Sequence, residues 1–212
     1  MTHEIQNFTF QNPTKILFGR NRIEDIDNEI PKDAKVLVLY GGGSVKKNGA
    51  FDRAVKALGN REWDEFSGIE ANPTFETLMK AVEKVRAENF TYLLAIGGGS
   101  VIDGTKFVSA ASLFTEDPVD LFGWGVGKGL PVQEVVSFGT ILTLPATGSE
   151  MNSGAVITLV EKKAKVSFRG TKTFPVFSVL EPELTYTLPV RQLVNGLLDT
   201  FIHVMENYLT YP

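Results

Sequence analysis

The sequence contains no cysteine. Disulfides, thiolate catalysis and cysteine-ligated zinc are therefore excluded, and a reducing compartment is permitted. It has only two histidines, His3 and His203. A metal centre built on several imidazoles cannot come from these residues alone. Basic residues are not in excess: 21 Lys and Arg stand against 25 Asp and Glu, for a formal net charge of −4. That balance gives no electrostatic reason to expect nucleic acid or an anionic membrane as partner. No apolar run approaches the roughly 20 residues that span a bilayer. Met1 to Gln11 is mixed and polar, without a secretory pattern. At 43% hydrophobic and 22% charged residues, the 212-residue chain has the composition of a globular protein, not of a disordered one.

What is present is a set of short apolar runs closed by glycine. Val36 to Tyr40 ends at Gly41-Gly42-Gly43-Ser44, and Tyr92 to Ile96 ends at Gly97-Gly98-Gly99-Ser100. Both read as strands buried on two faces. Helical patterns follow at Phe51 to Leu58 and Val101 to Leu113. A third, with Leu78, Val82 and Val85, begins after the candidate N-cap Thr74. This order predicts a parallel sheet flanked by helices. Val135 to Leu144 is a further strand. Ala155 to Val160 and Lys165 to Phe168 read as a β-hairpin around Glu161-Lys162-Lys163, followed by a short strand at Val176 to Leu180. Val190 to Leu209 is helical, with Pro189 at its start and Pro212 at its end. A domain boundary is placed near Thr187. Residues 1–186 then form a Rossmann-like α/β domain, and residues 187–212 open a helical one.

A glycine-rich turn between a buried strand and a helix brings backbone N–H groups and the positive helix end to one point, which suits phosphate. Gly98, Gly99 and Ser100 are the candidates for a pyrophosphate. A tight turn with no ligand is the alternative. The pattern is not the G-x-G-x-x-G of commoner dinucleotide folds. After the first strand, an acidic residue would bind a ribose 2′-hydroxyl and repel a 2′-phosphate. The strand end here has none; it has Gly42, Gly43, Ser44, Lys46 and Lys47. NADP is therefore the expected cofactor, with ordinary solvated lysines as the alternative.

Asp199 and His203 stand four residues apart, on one face of the last predicted helix. A carboxylate and an imidazole at that spacing can bind a divalent ion. The surrounding Leu197, Leu198, Phe201, Ile202 and Val204 would bury an unpaired carboxylate at a cost, which favours a partner. An Asp–His hydrogen bond or a solvated face is the alternative. Two ligands are too few for a catalytic site, and His3 is far away in sequence.

Four stretches together resemble the iron-containing alcohol dehydrogenase family, in its NADP-dependent butanol dehydrogenase and aldehyde reductase branch. They are Phe18-Gly19-Arg20, Tyr40 to Lys46, Gly97 to Gly104, and Leu144 to Glu150. They occur in the family's order, and Asp199 and His203 match its first two metal ligands. The resemblance implies that Asp103 lies near the nicotinamide and substrate. It implies that Thr143 and Thr147 line the cofactor cleft and that Lys165 reaches the cofactor from the hairpin. Gly42, Gly43 and Ser44 would receive the 2′-phosphate of NADP(H), and Asp199 and His203 would bind Fe²⁺ or Zn²⁺. It further implies a small alcohol or aldehyde substrate, a cytoplasmic homodimer joined through N-terminal strands, and hydride transfer as the reaction. The family's two further histidine ligands have no counterpart here. The expectation is a fragment, from truncation, proteolysis or a split gene. Glycerol dehydrogenase on the same scaffold, or a nucleotide-binding module without catalysis, is the competing expectation; dehydroquinate synthases differ in having a glutamate as first ligand.

Overall fold

The computed structural model describes Asn7 and residues 9–210. His3 and Pro212, both singled out in the sequence, lie outside them. Six strands form one parallel sheet: β1 (Lys15–Phe18), β2 (Val36–Tyr40), β3 (Trp63–Phe66), β4 (Tyr92–Gly98), β5 (Ser137–Leu144) and β8 (Phe177–Leu180). Their order across the sheet is β1-β8-β5-β4-β2-β3. The remaining two, β6 (Gly154–Leu159) and β7 (Ala164–Arg169), form an antiparallel hairpin. The α/β class, the parallel sheet and the hairpin agree with the sequence expectation.

The side-chain period of a strand sends alternate residues to opposite faces, and both faces of the central strands are covered. Leu37, Leu39, Leu93 and Ala95 pack on one face against α4 (Phe75–Glu88) and α5 (Gly99–Leu113). On the other, Val36, Val38, Leu94 and Ile96 pack against α1 (Ile26–Glu29) and α3 (Ala50–Leu58). This is why these strands read as continuous apolar runs rather than alternating ones. The edge strands β1 and β3 gave no such signal. Each has four residues and carries charges, Lys15 in one and Asp64 and Glu65 in the other, as edges exposed to water do.

Thr74 caps α4 as expected, its hydroxyl accepting from the Thr77 N–H at 3.3 Å. Helix α5 is buried nearly all round. Gly104 lets it approach α4, since a Cβ there would lie 2.8 Å from Leu78. The hairpin is fastened to α5 by aromatic packing. The Phe168 ring meets Phe107 edge-on at 6.0 Å and Phe122 at 5.9 Å. It is tied on its other side to the approach of α4, where the Thr158 N–H donates to the Pro73 carbonyl at 2.9 Å.

The last helix, α6 (Val190–Leu209), follows Pro189 as the pattern predicts, but buries no residue. Its Leu197, Leu198, Phe201 and Ile202 are all more than half exposed. At Gly196 it approaches the α/β part closely: a Cβ there would lie 3.1 Å from the Pro145 carbonyl. No helix among the described residues is long and apolar enough to cross a membrane.

Candidate functional site

The chain leaves β2 through α2 (Ser44–Lys47) and α3 toward β3 on one side. It leaves β4 through α5 toward β5 on the other. The winding therefore reverses between β2 and β4, and their carboxyl ends open a crevice where such sheets bind ligands. Tyr40 is paired with Ile96, so the two glycine segments stand side by side at that crevice. Beside that crevice, between the segments that follow β4 and β5 and the hairpin, the structure has a groove of about 540 Å³, within the range of small-molecule sites. Its floor is the start of α5, with Gly99, Ser100 and Asp103. Thr147, Ser149 and Asn152 wall one side. Lys165, Ser167 and Arg169 of the hairpin, with Asn72, close the rest.

Five residues named from the sequence thus meet in one groove: Gly99, Ser100, Asp103, Thr147 and Lys165. Gly98 and Thr143 lie on the adjoining strands outside its lining, and Gly42, Gly43 and Ser44 lie beyond it at the end of β2. Asn72 and Asn152 were missed. Asn72 has a left-handed φ of +58°, receives the Lys165 ammonium on its side-chain oxygen at 2.8 Å, and donates its N–H to Ser100 Oγ at 3.3 Å. Its position before Pro73 marked a turn in the sequence, but not which side chains the turn would meet.

The glycine triplet has a more local explanation than expected. A Cβ at Gly97 would sit 2.6 Å from Val101 Cγ2, and one at Gly98 would sit 3.2 Å from Leu144 Cβ. At Gly97 the fit of strand against helix leaves no room for a side chain, with or without a ligand; at Gly98 the neighbouring strand β5 leaves room only after a small shift. Only at Gly99 does the missing Cβ face the groove, against the exposed Thr147 side chain. No loop intervenes: β4 ends at Gly98 and α5 begins at Gly99 with no side-chain cap. The first N–H groups of α5, carrying the positive end of a 15-residue helix, are left to the groove.

Asp103 stands on the groove floor with its side chain 15% exposed. Its Oδ2 accepts the Val156 N–H at 3.0 Å, while its Oδ1 is buried without a partner. Burial raises the carboxyl above the ordinary aspartate value, and the nearby Lys106 ammonium opposes the rise.

At the end of β2 the charges are arranged differently from the sequence reading. Lys46 contacts Glu65 of β3 at 2.7 Å and lies over the Tyr40 and Phe51 rings at 5.1 and 4.6 Å. The glutamate holds the ammonium above the usual lysine value. The strand end that lacked an acidic residue in sequence gains one in space. Lys47 is exposed and makes no ion pair among the described residues.

The Asp199–His203 pair is also corrected in one respect. Both side chains are about half exposed, so a buried carboxylate cannot be the reason for a partner. Asp199 Oδ2 and His203 Nε2 are 3.7 Å apart on one helix face. An ion bound at ~2.0–2.2 Å from each would need a spacing of this size. No cluster of three or more such ligands occurs among the described residues. The pair fits part of a coordination shell and not a whole one.

The family model described as iron-containing alcohol dehydrogenase matches residues 13–182. The chain belongs to that family. Among its relatives, the NADPH-dependent aldehyde reductase YqhD of Escherichia coli is 49% identical over 210 residues, covering 98% of this chain and 54% of the relative. A probable NADH-dependent butanol dehydrogenase of Bacillus subtilis is 42% identical over 207 residues, covering 96% and 52%. The crystal structure of E. coli YqhD superposes with a TM-score of 0.91 at 48% identity, over 97% of this chain and 53% of that one. The NADH-dependent butanol dehydrogenase A of Thermotoga maritima superposes with a TM-score of 0.89 at 40% identity, over 96% and 51%. The chain spans about half the length of the curated relatives it matches.

Proposed function

We propose that residues 1–186 are the nucleotide-binding domain of an alcohol dehydrogenase or aldehyde reductase, and that residues 187–212 open its helical metal-binding domain. The observation that carries this reading is the groove beside the switch point, floored by the uncapped start of α5 and by Asp103. Such a helix end suits a pyrophosphate. Gly98, Gly99 and Ser100 would receive it through backbone N–H groups and the Ser100 hydroxyl. Thr147 and Lys165 would close over the dinucleotide, with Thr143 beneath. Asp103, held through Oδ2 by the Val156 N–H, would place its carboxylate beneath the nicotinamide end. Gly42, Gly43 and Ser44 would receive the adenosine ribose. NADP(H) is the proposed cofactor because the first turn after β2 carries Ser44 and two lysines. The Lys46–Glu65 pair weakens the preference over NAD(H), since it partly neutralises one of those charges.

Asp199 and His203 would provide two ligands of an Fe²⁺ or Zn²⁺ ion, the others coming from outside these residues. When bound, such an ion polarises the oxygen of an alcohol or aldehyde. With two half-exposed ligands, the 212 residues alone are expected to turn over no alcohol with NADP and added metal. The test is fluorescence titration of the pure chain with NADPH and with NADH, followed by a turnover assay. Saturable NADPH binding without turnover is the expected result. Binding of neither nucleotide would end the dinucleotide reading, and turnover would end the two-ligand reading of the metal site. A nucleotide-binding module without catalysis remains the second reading for this chain, favoured by the incomplete ligand set.

A further inference from the structure

Lys106 is the largest fully buried side chain of the domain, and no expectation named it. A charged amine does not enter a core without partners, and a methionine would fill the same space at less cost. Its partners are therefore informative. The ammonium donates to Asn152 Oδ1 at 2.8 Å and to the Gly154 carbonyl at 2.8 Å, and lies 3.8 Å from Asp103 Oδ1. All three residues line the groove. Asn152 is held on every side: its Oδ1 also accepts the Gly154 N–H at 3.0 Å, and its Nδ2 donates to the Gly148 carbonyl at 3.0 Å. Lys106 thus reaches the groove from behind, through α5, without being exposed in it.

We propose that Lys106 is a positioning residue of the groove: it orients the Asn152 amide and serves as the internal counter-charge of Asp103, facing its buried Oδ1 and keeping that carboxylate ionised on the groove floor. The charged groups around the pair are few. Asp103 and Lys106 share α5, Glu150 approaches from the turn after β5, and Lys165 and Arg169 stand across the groove on β7. The Val156 N–H supplies a neutral hydrogen bond to Asp103. Burial pushes the Lys106 amine down to about 8, with Asp103 and Glu150 holding it up. The two groups are therefore coupled, and each should register the other's titration.

The value of an ionised Asp103 to the ligand rests on the dinucleotide reading, but the coupling does not. The chain is labelled with ¹³C at aspartate carboxyls and lysine Cε, and both nuclei are followed against pH. In the native chain the Lys106 resonance should step at the Asp103 midpoint. In Lys106→Met the Asp103 midpoint should move upward, and NADPH should bind about tenfold more weakly. A Lys106 resonance that is silent through the Asp103 titration overturns the proposal, as does an unmoved midpoint in a folded Met variant. Should that variant not fold, the native titration decides by itself. Failure of the native chain to bind NADPH counts against the dinucleotide reading and leaves the coupling to the titration.

Discussion

The three consecutive glycines should respond differently to the same added methyl group. In Gly97→Ala the new Cβ falls 2.6 and 2.7 Å from Val101 Cγ2 and Cβ. Val101 is buried, β-branched and fixed in the first turn of α5, so it cannot rotate away cheaply. Overpacking of this kind costs roughly 1–3 kcal/mol, offset by at most about 1 kcal/mol from removing glycine flexibility in a strand. In Gly98→Ala the nearest atom, Leu144 Cβ, is 3.2 Å away, and a shift of a few tenths of an ångström accommodates it. In Gly99→Ala the methyl meets Thr147, most closely its Oγ1, with Cγ2 at 3.0 Å and Cβ at 3.2 Å. That side chain is exposed and can swing out, at the loss of two hydrogen bonds of its Oγ1, with the Ser149 hydroxyl at 2.8 Å and from the Ser149 N–H at 3.3 Å. The two lost bonds, one of them long, are worth roughly 1–2 kcal/mol, and the gain from alanine at the first residue of the helix is at most about 1 kcal/mol, so the net loss is about 1 kcal/mol or less. Stability should hardly change, yet the methyl and the displaced threonine now occupy the groove above the α5 N–H groups. A tenfold loss in NADPH affinity, about 1.4 kcal/mol, is the least expected. Urea unfolding and NADPH fluorescence titration on the three variants check this. Unchanged NADPH affinity in Gly99→Ala would refute the placement of the dinucleotide, and unchanged stability in Gly97→Ala would refute the packing argument.

Three further outcomes follow from the same geometry. Glu65→Gln should free Lys46 and raise the preference for NADPH over NADH, an effect that weakens at high salt; parallel titrations with the two cofactors measure it. Replacing Leu198 and Phe201 with Gln should reduce self-association in sedimentation velocity without lowering the unfolding midpoint, because α6 buries nothing. Finally, the Lys106 amine is at about 8 in the fold and about 10.4 when unfolded. Between those values the unfolded chain binds more protons, so this group makes stability rise with pH. Unfolding of the native chain should show that rise between pH 8 and about pH 9.5, short of tyrosine titration; Lys106→Met should lack it, and an identical slope in the two would count against the burial of the charge.

The central strands, the helices between them and the hairpin were legible from the sequence. Their signals are local: apolar runs buried on two faces, glycine closures and helical spacing at Leu78, Val82 and Val85. The start of α5 was likewise marked by its glycines, and the Asp199–His203 spacing by helix periodicity alone. The edge strands were not legible, because four half-exposed residues with charges look like loop. Nor were the partners that only long-range packing brings together. Asn72 and Lys165 are 93 residues apart, Lys106 and Asn152 are 46 apart, and no pattern along the chain relates them. Sequence placed glycines where a ligand would need bare backbone. The tertiary structure assigned Gly97 to the fit of strand against helix and set Gly98 against Leu144 of the neighbouring strand, because a Cβ meets whatever the fold puts beside it. It also set Glu65 against Lys46 and left the flanks of Asp199 and His203 in solvent, since burial and charge pairing belong to neighbours in space.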